Sequence, residues 1–298
     1  MQTKNLIIGL VFSLTPGLLP AQPAAQPPSQ PQNPLHRQYR DGETLIYHMT
    51  GLNESMQYTV QASGIVEKDA SGAYFEEFRW TNLVSDGQPT PLSAGGDAFR
   101  ERLSLDPNQS VSPPAPSALD PKLVAPALDL MTFYVDLWLA SKSGQLTHAG
   151  DHYSFKYGAP SSWADGSQVI LGQTSIDFDF TLKSVDPSSG TAVLIARHVP
   201  PEKSPVALPA AWMQTPVADT PNNWVQILKL PSKFLGMVGQ EMFTDEITVS
   251  LADGKILRAS MDNSIKTIMR TCDDEALTKC DPPQPHEITR KIQIALVQ

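Results

Sequence analysis

From Leu45 onward, apolar residues return at every second position through much of the chain, a spacing that puts one side of an extended strand in a core and the other in solvent. The clearest run sets Ile176, Phe178, Phe180 and Leu182 against Asp177, Asp179, Thr181 and Lys183. Earlier runs carry Leu45, Tyr47 and Met49, then Met56, Tyr58, Val60 and Ala62, then Tyr74, Phe78 and Trp80, which share a face with Glu76. Later ones carry Phe243, Ile247, Val249 and Leu251, then Ile256 to Met261 with Ile265 to Thr271 as a continuation, and finally Ile288, Ile292, Ile294 and Leu296. Turn sequences at 69–72, 186–190 and 252–255 are rich in Asp, Ser and Gly and join neighbouring runs as hairpins, so the strands pair antiparallel. A further strand is expected over 97–105, followed by a Pro/Ser-rich connector from Pro107 to Pro121 that resists regular structure.

One segment breaks the period of two. Between Pro126 and Ser141 the spacing predicts a helix, with proline suited to its first turn and Gly144 to its exit. Asp129, Thr132 and Asp136 fall on one side, and Leu130, Met131, Phe133, Tyr134, Leu137, Trp138 and Leu139 occupy the rest, so most of the helix must be covered. One helix among many half-buried strands predicts a mainly β (α+β) fold: a strongly curved antiparallel sheet or open barrel wrapped around one main helix. We expect a single β-rich domain over 39–298, interrupted by a Pro-rich loop at 200–221 that is functional, mobile or packed as a flap.

The beginning of the chain reads as an export signal. Lys4, the apolar run Leu6 to Leu14 and the small residue Ala21 form its three parts, over residues 1–21, and a Pro/Gln-rich tether follows over 22–38. Cleavage falls after Ala21, with Ala24 or Ala25 as alternatives; an uncleaved anchor is the competing reading, although the apolar core is shorter than a membrane span. The expected location is the periplasm or the exterior, with no integral membrane span once the signal is removed. In such a compartment Cys272 and Cys280 are expected to form a disulfide. A metal site using Asp273, Asp274, Glu275 and His286 is the alternative, but the spacing lacks the compactness of a zinc site. The formal net charge of −9, with no basic cluster longer than Arg290-Lys291, argues against a nucleic-acid partner.

Two stretches carry a resemblance. Tyr39-Arg40-Asp41-Gly42-Glu43-Thr44-Leu45-Ile46-Tyr47 resembles the Gly-Glu-x-Leu-x-Tyr opening of exported bacterial β proteins with the lipoprotein-carrier (Lol) fold. The helix followed by Gly144-Gln145-Leu146 and Gly150-Asp151-His152-Tyr153, and the late Leu251-Ala252-Asp253-Gly254-Lys255-Ile256, stand in a similar order. The resemblance implies an open curved sheet around a helix, with an apolar cavity able to hold acyl chains; the 200–221 loop and the cysteine loop fall outside it.

Reactive chemistry is weakly marked. There is no Gly-x-Ser-x-Gly elbow and no His-Glu-x-x-His helix. His148 and His152 are spaced as helical metal ligands, yet Gly150 between them favours a turn, and Asp177 and Asp179 read as a solvated strand face. Trp163, Trp212 and Trp224 fall in or beside loops, where an aromatic could stack on a sugar or lipid, with core packing as the plainer reading. The leading expectation is a binding protein of the cell envelope, not an enzyme and without a cofactor. Its hydrophobic ligand, a lipid or acyl chain, would lie between Leu130, Tyr134 and Trp138 of the helix and Ile176, Phe178 and Phe180 of the sheet. The alternatives are a secreted hydrolase acting on glycan or peptide, and a structural module that binds an envelope protein.

Overall fold

The computed structural model describes residues 33–54, 56–109, 119–158, 163–164, 168–171, 175–204, 206, 208 and 210–297. The expected signal and the tether up to residue 32 lie outside the described residues, as does most of the Pro/Ser-rich connector. The body begins before Tyr39. Leu35 and Arg37 are both buried in it, because Gln38 N–H donates to Asp253 O at 2.7 Å and the segment lies along a hairpin turn.

Among the described residues, fourteen strands form one antiparallel sheet, open and curved. The first three are β1 (Thr44–Asn53), β2 (Met56–Lys68) and β3 (Tyr74–Ser85), a meander flanked by the short β4 (Gln88–Pro89). A turn of helix α1 (Ala94–Ala98) and the short β5 (Glu101–Leu103) replace the single strand expected over 97–105, because the Ser93 side chain caps Gly96 N–H and starts a helical turn. Helix α2 (Val124–Lys142) follows, entered through a 3-10 turn (Pro121–Leu123) whose first N–H groups are steered by Asp120. Next come β6 (His152–Gly158), the short pair β7 (Trp163–Ala164) and β8 (Gln168–Leu171), and the hairpin β9 (Ser175–Asp186) and β10 (Thr191–Val199). The chain ends with β11 (Trp224–Lys229), β12 (Phe234–Ser250), β13 (Ile256–Cys272) and β14 (Gln284–Leu296).

The main path runs β4-β3-β2-β1-β14-β13-β12-β10-β9-β6, so the last strand in sequence pairs with the first, Tyr47 opposite Leu296. That pairing stitches the N-terminal meander to the C-terminal half. The alternating residues read from the sequence form the inner face, where Leu45, Tyr47, Met49, Phe78, Phe180, Ile247 and Ile292 join α2 in one core. Fully burying one such side chain stabilises by roughly 1.5–3 kcal/mol.

β11 and the first half of β12 were not legible as strands: Gly236 and Gly239 interrupt the alternation. The reason for glycine is spatial, since a Cβ on Gly239 would stand 2.0 Å from Lys266 O on the adjacent strand. This extension carries a second, smaller core in which the described part of the 200–221 loop is packed as a flap, with Val206, Ala210 and Met213 against Val225, Val238, Cys272 and Leu277. Cys272 and Cys280 are disulfide-bonded as expected.

The turn after β12 shows how tightly the N-terminal segment is held. Gly254 has φ +70°, and a Cβ there would lie 2.2 Å from His36 O; Gly190, at φ +68°, faces open space. Gly190→Ala is therefore expected to cost about 1–2 kcal/mol, the left-handed backbone penalty alone, and Gly254→Ala to cost more because the 33–38 segment must move as well. Urea denaturation of both variants checks this; equal losses would mean the segment is not held at that turn.

Candidate functional site

Helix α2 is seated with its acids inward. Asp129 and Asp136 are 2 % and 1 % exposed, while Leu128, Met131 and Val135 on the opposite side are only half-buried. The sequence had placed those acids, with Thr132, on the polar side of the helix. Thr132 is half-buried and turns its hydroxyl to Leu128 O at 2.8 Å, but both aspartates face the sheet. Each must therefore find a partner inside, since an unpaired buried charge costs several kcal/mol.

The first polar tie lies where α2 crosses β3. Tyr134 donates its hydroxyl to Glu76 Oε2, and Arg37 Nε donates to Glu76 Oε1 at 3.0 Å while Arg37 Nη2 reaches Glu43 Oε2 at 2.8 Å. Burial pushes the Glu76 carboxyl up, and the Arg37 guanidinium opposes that shift. The position of Glu76 on the same face as Phe78 and Trp80, already visible in the alternation, is borne out by its burial.

The second tie joins α2 to β2 and β14. Tyr58 donates to Asp129 Oδ2 at 2.5 Å, and Arg290 Nη2 donates to Asp129 Oδ1. Gly51 makes room for that tyrosine, since a Cβ there would stand 2.1 Å from the ring.

At the third, Asp136 meets Asp245 of β12. Asp245 is fully buried, and neither of its oxygens, nor Asp136 Oδ2, receives an N–H or O–H from any other group among the described residues. The two carboxyls are close enough for a proton on Asp245 to be donated to Asp136. Burial pushes both up, Asp136 to about 7 and Asp245 well above the carboxylate range, where the Asp136 charge adds to the effect. His198 sits on the adjacent strand between Phe178 and Phe243, with ring centroids 5.0 and 3.8 Å away, and burial drives its pKa down to about 3. It is neutral at ordinary pH and supplies no counter-charge. Glu101 on β5 is a further buried acid, its carboxyl oxygens without a hydrogen-bond partner among the described residues, and it too is pushed up by burial.

Beyond these ties the interior becomes aromatic. Phe178 and Phe180 stack at 5.3 Å, Tyr153 stacks on Phe180 at 6.5 Å and on Phe155 at 5.9 Å, and Trp138 meets Tyr157 edge-on at 6.3 Å. The indole N–H of Trp138 is satisfied by Asp106 O at 3.0 Å. Phe178 and Phe180 are buried, whereas Tyr153, Phe155 and Tyr157 on the inner face of β6, and Ile176 opposite Tyr157, are half-buried.

The six residues expected to line a ligand site thus belong to or border one core, but they divide. Trp138, Ile176, Phe178 and Phe180 gather at the β6–β9 end. Tyr134 instead turns toward β3, with Phe78 5.9 Å away, and Leu130 is wholly buried. Tyr153, Phe155 and Tyr157, which are not among the six, complete the aromatic end, and their own alternation is the sequence signal for them.

Other candidates resolve into structure. Asp177 pairs with Lys156 at 3.4 Å, and Asp179 with Arg197 at 2.9 Å and with His152, on the outer face. His148 lies in a turn organised by Asp151, whose Oδ2 accepts from His148 N–H at 2.7 Å. Trp212 donates to Leu277 O at 3.0 Å beneath Arg270, and Trp224 opens β11; the side chain of Trp163 lies outside the described residues. Among the described residues no group of three or more His, Cys, Asp or Glu is placed to hold a metal ion. The outer face carries a groove of about 390 Å³, bordered by His48, Thr50, Glu246, Arg258, Ser260 and Gln293 together with Ala259, Ile294 and Ala295. The stretch Pro121–Lys142 is long and apolar enough to cross a membrane, yet 67 % of its apolar 18-residue window is buried inside the protein. Comparisons with protein families, with curated proteins and with solved structures find no match to this chain.

The first tie is open to a direct test. Arg37→Met leaves Glu76 buried without its cation and is expected to cost roughly 3–5 kcal/mol, and adding Glu76→Leu to that variant should recover part of the loss. Urea unfolding of the single and double variants measures this; independent, additive losses would mean the pair is not coupled.

Proposed function

We propose that this is an exported binding protein of the bacterial cell envelope that holds the acyl chain of a lipid, or a ligand of similar shape, at the aromatic end of its interior. The observation that carries the reading is the row of half-buried rings Tyr153, Phe155 and Tyr157 on the inner face of β6, continuous with buried Phe178 and Phe180 and closed by Trp138 of α2. An edge strand whose inward aromatics are only partly covered offers apolar area that a chain could finish burying, and each methylene so buried contributes about 0.8 kcal/mol. The Gly-Glu-x-Leu-x-Tyr opening, which resembles that of exported proteins with the lipoprotein-carrier fold, supports the same reading, and so does the signal-like N-terminus. A partner-binding module would act through the loop around Trp212, and that side chain is engaged with Leu277 and Arg270 within the protein.

Delipidated and refolded protein, incubated with envelope lipid extract and examined by native mass spectrometry, should retain lipid in a defined ratio. Replacing both Phe155 and Tyr157 with Ala should weaken retention by about tenfold or more, the equivalent of ~1.4 kcal/mol. Absence of any bound species on the wild-type protein would overturn the reading.

A further inference from the structure

The three ties that hold α2 in the sheet differ in charge balance. Glu76 is answered by Arg37, and Asp129 by Arg290. Asp136 and Asp245 form no ion pair among the described residues, and each is the other's hydrogen-bond partner. The pair lies where α2 runs against β12, both residues are at least nine-tenths buried, and among the described residues no N–H or O–H from any other group reaches either Asp245 oxygen or Asp136 Oδ2. Two like charges in hydrogen-bond contact in a poorly solvated interior cannot both persist, and one shared proton turns the repulsion into a hydrogen bond.

We propose that the Asp136–Asp245 contact is a proton-operated latch: with a proton shared between the carboxyls α2 stays seated in the sheet, and release of that proton to water or buffer loosens α2 and opens the aromatic end of the interior. What the opening admits rests on the binding function proposed above; the latch itself does not.

The sign follows from linkage. The pair binds protons more tightly folded than unfolded, so its stabilisation is complete below the ordinary carboxylate range and is lost as pH rises through the raised folded values. Across that window, loss of one proton favours the open form by about tenfold per pH unit. The surrounding groups set the background. Asp129 of α2 and Arg290 of β14 act on Asp245 with opposite signs, Arg290 itself being held by Asp129, Glu241 and Tyr58. His198 of β10 is neutral above the acid range, so it adds nothing as pH rises. Glu76 of β3 and Glu101 of β5, both buried near the helix, are also pushed up and would add a dependence of the same sign. The pair must therefore be tested by substitution as well as by pH.

Hydrogen exchange of the ligand-free full chain, followed by mass spectrometry from about pH 5 to about pH 8.5 and corrected for base-catalysed exchange, reads the opening directly. In the wild type, protection of peptides from 124–142 should fall by up to about tenfold per pH unit, while peptides from the centre of β13 keep theirs. Asp245→Asn and Asp136→Asn each leave an amide donor against one remaining carboxylate, and either should flatten the pH dependence of the helix. A wild-type helix whose protection is independent of pH would overturn the latch, as would an unchanged slope in a folded variant, or β13 losing protection in parallel. If neither variant folds, the wild-type series decides alone. Lipid retention is measured separately, so a chain that opens with pH but binds no lipid would keep the latch and remove the binding function.

Discussion

An α-helix enclosed by a curved sheet has little solvent of its own, so every polar group it carries must be satisfied by the sheet or displaced from the sequence. That constraint organises this protein. Helix α2 presents Asp129, Tyr134 and Asp136 inward, and the strands that receive them carry a matching set: Glu76 with Arg37, Tyr58 with Arg290, and Asp245. The N-terminal segment is part of the same arrangement. Arg37 reaches Glu76 only because residues 33–38 lie along the β12–β13 turn, where Gly254 leaves them room. Remove the helix, and three strands are left with buried charged or polar side chains lacking their principal partner.

The sheet is open, with one face turned to the helix and the other to solvent. Antiparallel strands can leave one face in water, and here the outer face takes the ion pairs Lys156–Asp177, Arg197–Asp179 and Lys183–Glu246. Exposed pairs of this kind contribute little, roughly 0–1 kcal/mol each. The discriminating energy lies inside, where the hydrophobic core and a few desolvated contacts fix the register. A one-residue slip of β3 would carry Glu76 to the outside, bring Glu77 in, and leave Arg37 without its partner.

How far this could be read from the sequence depended on periodicity. Where alternation is strict, as in Ile176 to Leu182, strand, face and burial all followed from the residues, and the curved sheet around one helix followed from their number. Reading stopped where a glycine or a charge was chosen for its neighbour across the sheet. Gly239 exists because Lys266 O approaches it, and β12 was accordingly seen only in its second half. Asp129 and Asp136 looked like a polar helix face because spacing along one helix carries no information about an arginine in β14 or an aspartate in β12. The candidate site was half legible for the same reason: the aromatics of β9 announced themselves, and the carboxyl pair beneath the helix did not.

The inward acids bear on what α2 can do. A helix held by apolar contacts alone has a seating free energy nearly insensitive to pH, whereas one whose acids are buried is coupled to the proton concentration wherever no fixed cation stands beside them. The arginines at Glu76 and Asp129 fix two of the three ties, and they bracket the helix toward β3 and β14. Asp245, the partner of Asp136, is two residues from Phe243 on β12, whose ring meets His198 and through it Phe178, so the pair borders the aromatic end. Compensation is therefore withheld at the tie nearest the half-buried rings of β6. If all three carboxyls had arginine partners, the helix would be pinned along its length and the rings beneath Trp138 would be core only; if none had, the helix would not seat. The observed distribution leaves the meander side fixed and makes the β6–β9 side the place where α2 can yield.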